Sequence, residues 1–144
     1  MSELYLVGLD GSDASQRALA EAERQAKLSN AALIVSYVIP WSPFTFSTPE
    51  ENANRHQRRE EELSRASECV LKPEQQRLIG EGLETGIEVR HGHPARTLVQ
   101  LAKENDADMI IIGATGDRPL KTRIIGGTAA AVIHIAPCPV LVVP

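Results

Sequence analysis

The chain has 144 residues and a net charge of −4, with 42% hydrophobic and 3% aromatic side chains. That is one domain with a sizeable core. The acidic balance and the scarcity of aromatics argue against a nucleic-acid surface, and no apolar run approaches the roughly 20 residues that would insert in a membrane. The first residues carry Glu3 and no basic segment, and Cys69 and Cys138 stand far apart with no CxxC pair, so free thiols and a cytoplasmic location are expected.

Short apolar runs alternate with helical segments, the pattern of a parallel α/β sheet. Residues 4–9 (LYLVGL) predict a first strand, and a helix is expected over about 13–28 with Ser12 as its N-cap. Ala14, Ala18, Leu19, Ala22 and Ala26 fall on one face of that helix, small enough to pack closely on a sheet. Residues 32–38 predict the second strand, and the proline-rich stretch 40–49 a loop beyond it. Thr48-Pro49-Glu50-Glu51 has the form of a capping box opening a long, heavily charged helix. Pro73 interrupts that helix, predicting either a kink or two helices before Ile79.

Residues 86–91 alternate as an outer strand would, and a helix from about Pro94 turns Leu98, Leu101 and Ala102 inward. The run 109–112 (MIII) predicts a buried strand, residues 129–135 a helix and Val140–Val143 the last strand. Between the last helix and the strand before it lie Gly113-Ala114-Thr115-Gly116, nine residues, and Gly126-Gly127-Thr128. A strand end, a glycine loop and a helix N-terminus together form an anion site, because the first helical N–H groups lack internal acceptors. Glycine there permits positive φ and close approach of the main chain.

The expected fold is a five-stranded parallel, doubly wound sheet of order 3-2-1-4-5, Rossmann-like, with helices on both faces and a single domain over 1–144. Asp10-Gly11-Ser12, Val38-Ile39-Pro40, Gly92-His93-Pro94 and the glycine loop all fall at strand C-termini, but they converge only if the strands take that order.

These motifs together resemble the universal stress protein family along essentially the whole chain. The resemblance rests on LDGS at 9–12, the strand ending at Val38, GHP at 92–94, DADMIIIGATG at 106–116 and APCPVLVV at 136–143. Gly113, Gly116 and Gly126 match the spacing of the G-x2-G-x9-G-(S/T) motif of that family's ATP-binding branch, but Gly127 stands where the branch has Ser or Thr. The missing hydroxyl is expected to weaken phosphate binding several-fold without abolishing it.

What the resemblance implies is a cytoplasmic ATP-binding, nucleotide-sensing homodimer serving an unidentified protein client. Leu9 and Asp10 would meet the adenosine part, Val38 the adenine through its backbone, and Ile112, Gly113, Thr115 and Gly116 the ribose and first phosphates. Gly126, Gly127 and Thr128 would face the outer phosphates, with or without Mg2+ held by phosphates and water. Nucleotide would act on residues 113–128 and 40–49 and so on a dimer surface. The homodimer would form through Val140–Val143, an apolar strand at a sheet edge.

The structural alternative for Asp10 is a charge complementing the following helix. Arg118, Lys121 and Arg123 sit in the spacer and could offset phosphate charge. His91 and His93 lack a third ligand at metal spacing and read as surface or cap residues. No candidate water-positioning residue is apparent, so binding rather than turnover is expected. Gly127 favours a second reading, a nucleotide-independent dimeric module. A third, an adenylate-transferring or ATP-hydrolysing enzyme, lacks an SGG-x-D-S loop after the first strand, where this chain has LDGSDAS.

Overall fold

The computed structural model describes residues 2–40, 49–116 and 125–144. Its elements follow in the order β1 (Leu4–Leu9), α1 (Asp13–Ser29), β2 (Ala32–Pro40), α2 (Pro49–Arg65), a π-helical segment (Ala66–Leu71), α3 (Lys72–Gly80), β3 (Thr85–Gly92), α4 (Pro94–Glu104), β4 (Met109–Gly113), α5 (Gly127–Ile135) and β5 (Val140–Val143). The five strands form a parallel sheet in the order β3-β2-β1-β4-β5. The expected order is therefore the observed one.

Both faces of the sheet are covered, as continuous apolar strands require. Side chains alternate along β1: Tyr5, Val7 and Leu9 meet Ala18, Leu19, Ala22 and Ala26 of α1 together with Leu71 and Leu78. Leu6 turns the other way, towards Leu98 and Leu101 of α4 and Val132 of α5. The small residues of α1 let it lie close over β1 and β4. Asn30 ends the helix in the left-handed region at φ 53°, a conformation its short amide tolerates.

The segment containing Pro73 resolves differently from a simple kink. The helix widens into a π turn over Ala66–Leu71, and the Lys72 N–H bonds to the Ser67 carbonyl five residues back. Pro73 then occupies the first turn of α3. A proline has no N–H and its ring crowds the carbonyl four residues earlier, so widening the turn ahead of it avoids that clash without breaking the helix. Thr48 of the capping box lies outside the described residues.

Among the described residues, edge strand β3 pairs with β2 alone, and its Arg90 bridges to Glu104 of α4 at 2.8 Å. Cys69 is exposed and Cys138 half-buried, and both are unpaired thiols. Among the described residues, no helix is long and apolar enough to cross a membrane.

Candidate functional site

The strand order reverses between β1 and β4. From β1 the chain crosses to α1 on one face, and from β4 it leads towards α5 on the other, opening a crevice beyond the strand ends. A cavity of about 560 Å3 fills it. All ten residues singled out in the sequence line this cavity: Leu9 and Asp10 after β1, Val38 in β2, Ile112, Gly113, Thr115 and Gly116 at the end of β4, and Gly126, Gly127 and Thr128 at α5.

Its inner part is apolar. Leu9, Val38 and Ile112 are each less than 10% exposed, and Leu98 of α4 and Ala129 of α5 close the same wall. An apolar slot of this kind suits a planar ring system. The outer part is polar. Asp10 is exposed, and its Oδ1 accepts from the Ser12 N–H at 2.9 Å and from the Ser12 hydroxyl. Opposite stands the first turn of α5. Its N-cap, Gly126, has φ −64° and ψ 162° and offers no side chain to the helix. The Gly126 N–H donates to the Ala114 carbonyl at 2.7 Å, which fastens the helix start to the loop after β4. The N–H groups of that turn have no acceptor within the helix, so their partial positive charge faces the cavity. Among the described residues that line it, Asp10 carries the one formal charge.

Of the two roles expected of these glycines, positive φ is not used in the described part of the motif. Positive φ in the described glycines falls at Gly11 (85°), Gly82 (87°) and Gly92 (155°), not in the glycine motif. What Gly113 answers to is space: a Cβ there would stand 2.8 Å from the Ala14 carbonyl carbon and 3.0 Å from the Ser15 nitrogen. The end of β4 and the start of α1 touch. At Gly116 a Cβ would meet Asp10 Oδ2 at 3.3 Å, whereas at Gly127 it would meet nothing within 4 Å. The absent hydroxyl at 127 is therefore not enforced by packing.

Three wall residues carried no signal of their own: Tyr37 read only as part of a strand, Leu98 as a core position and Ala129 as part of a helix. Pro40 and Pro94 belong to the strand-end features expected to converge here, and they reach the cavity where β2 ends and α4 begins. Ser15 also lines it, buried, with its hydroxyl donating to the Ser12 carbonyl at 2.8 Å. The histidines have structural partners. His93 caps α4, its Nδ1 accepting from the Arg96 N–H at 3.3 Å, and His91 Nε2 lies 3.1 Å from Glu62 Oε2. Arg118, Lys121 and Arg123, and residues 41–48, lie outside the described residues.

The profile of the universal stress protein family matches residues 1–144. A universal stress protein of Methanocaldococcus jannaschii is 33% identical over 138 residues, covering 96% of this chain and 79% of that protein. The solved universal stress protein UspA from Lactobacillus plantarum superposes with a TM-score of 0.84 at 30% identity, covering 99% of this chain and 97% of its own. A further universal stress protein, solved in complex with cAMP, has a TM-score of 0.65 at 28% identity and covers 99% of this chain and 96% of its own. The match of the whole chain to the profile, on the expected sheet order, means that this chain belongs to the universal stress protein family.

Proposed function

We propose that the chain binds an adenine nucleotide in this cavity, with ATP as the ligand, and acts as a nucleotide-sensing regulatory protein of the cytoplasm. The observation that carries the reading is the pairing, in one cavity, of an apolar slot with the uncapped N-terminus of a nine-residue helix. An aromatic base fits the first and an anion the second. The related protein solved with cAMP supports the same ligand class.

In this reading Leu9, Val38 and Ile112 enclose the base, and Asp10 accepts from a ribose hydroxyl or the adenine amine. Thr115 and Gly116 line the path to the phosphates. The N–H groups of Gly127 and Thr128 and the Thr128 hydroxyl hold the phosphate oxygens, and any Mg2+ is held mainly by phosphate and water. The client is a protein, and two copies of the chain pair through β5.

The test is to denature purified protein, identify released small molecules by mass spectrometry, and titrate the stripped protein with ATP and magnesium by calorimetry. Released adenine nucleotide, or ATP binding that Gly116→Val abolishes, supports the reading. No binding at millimolar ATP overturns it. A nucleotide-independent dimeric module is the second reading, favoured by the glycine at 127, where phosphate loses a hydroxyl partner.

A further inference from the structure

A carboxylate on a short loop ordinarily rotates about its Cα–Cβ bond. At Asp10, among the described residues, Ser12 opposes that rotation. Ser12 donates twice to the same oxygen, Oδ1, through its N–H at 2.9 Å and through its hydroxyl. Gly11, with φ 85°, bends the chain so that residue 12 faces back to residue 10. Ser12 is itself held. It is 8% exposed, its Oγ accepts from the Ser15 N–H at 3.1 Å, and its carbonyl accepts from the Ser15 hydroxyl at 2.8 Å. A hydroxyl has one hydrogen and two lone pairs, so the chain of bonds has one direction: Ser15 N–H to Ser12 Oγ, then Ser12 O–H to Asp10 Oδ1. The remaining oxygen, Oδ2, lies beside Gly116, where an added Cβ would stand 3.3 Å from it.

We propose that Ser12 is a positioning residue for ligand recognition. It turns the N-cap of α1 into a clamp on Asp10 and leaves Oδ2 as the carboxylate oxygen presented to the nucleotide, an assignment that rests on the nucleotide reading above. Ala14 and Ser15 also abut Gly113, so the carboxylate, the start of α1 and the end of β4 are linked by direct contacts. A ligand donor then meets an acceptor already fixed in place, with less side-chain freedom to lose on binding.

Capping and clamping separate in Ser12→Asp. Aspartate is as good an N-cap acceptor as serine, but it has no proton to donate to Asp10 and repels it. Ser12→Ala removes the cap and the hydroxyl half of the clamp, leaving on Oδ1 the backbone N–H that every variant retains, and Ser12→Thr keeps both. With AMP, and with ATP and magnesium, as calorimetric probes, Kd is expected to rise roughly tenfold or more in Ser12→Asp and Ser12→Ala and to stay within about threefold in Ser12→Thr. Thermal melting confirms that each variant is folded. Three-bond NMR couplings of Asp10 in nucleotide-free protein are expected to report one rotamer in the wild type and Ser12→Thr, and averaging in the other two variants. Unchanged couplings in Ser12→Asp and Ser12→Ala overturn the assignment whatever the affinities do, and so does wild-type affinity in both folded variants. If the wild type binds neither probe, the nucleotide reading fails instead, and the couplings alone decide whether Ser12 clamps the carboxylate.

Discussion

Gly113 and Gly127 are the same residue type under opposite constraints. At Gly113 a methyl group would collide with the backbone of Ala14, which cannot swing aside as a side chain tip would. Gly113→Ala is expected to cost about 2 kcal/mol of stability, an overpacking effect measurable by urea denaturation. Gly127 has open space around it, so Gly127→Ser is expected to change stability by less than about 0.5 kcal/mol. It adds a hydroxyl beside the proposed phosphate position, and calorimetry with ATP and magnesium should show binding tightened roughly two- to tenfold. Unchanged affinity would mean that phosphate does not reach α5. The motif spacing was legible in the sequence, but the division of labour was not. A string of glycines does not distinguish a residue that clears a helix from one that merely lacks a side chain.

At the level of elements, α1 and α3 dock through apolar contacts edged by charge. Leu78 is fully buried against the sheet, and Leu78→Ala is expected to cost about 2–5 kcal/mol by leaving a cavity. At the rim, Arg77 of α3 reaches Glu23 of α1 at 3.1 Å, and Lys27 reaches it at 3.2 Å. Partial burial pushes the Glu23 carboxyl upward, but the hydrogen bonds from Arg77 and Lys27 outweigh it and hold it below its ordinary 4.5. A carboxylate depressed in the folded state adds stability that is present above the unfolded pKa and lost as pH falls through the folded one. Urea midpoints should therefore decline with acidification below about pH 4.5, and Glu23→Gln should flatten that decline while leaving its slope near neutrality unchanged. An equal acid slope in the variant would remove Glu23 from the linkage. Helix α1 was legible to within a residue because its cap and its alanine stripe are local signals. The π turn before α3 was not, because Pro73 announces an obstacle and not how the preceding turn accommodates it.

For the whole molecule, β5 is the decisive strand. It is four residues long, half-buried throughout, and among the described residues has β4 as its one neighbour in the sheet. The carbonyls of Pro139 and Val143 accept from Ile110 and Ala114, so alternation along a parallel ladder turns the N–H groups of Val140 and Val142 to the outer edge. Val142→Pro removes one outward donor and spares the bonds to β4. If the proposed pairing through β5 holds, light scattering should give twice the chain mass for the wild type and a folded monomer for this variant. A dimeric Val142→Pro would place the contact elsewhere. The Ala114 N–H donates to the Val143 carbonyl at 2.7 Å, which fixes the glycine loop directly to the end of that strand. On this geometry, weakened self-association in stripped protein compared with ATP-loaded protein is expected in sedimentation experiments.

What the sequence determined by itself was whatever is written in short range: the alternating elements, most of their ends, the cap at Ser12 and the glycine spacing before α5. Periodicity and capping depend on neighbours a few residues apart, so one chain suffices to read them. The sheet order was expected but not derivable, because parallel pairing joins residues such as Tyr5 and Met109 that no local signal connects. Only that pairing brings Asp10 opposite Gly116 and the start of α5. The clash that makes Gly113 necessary and the clamp from Ser12 to Asp10 are contacts in space, and the tertiary structure alone decided them.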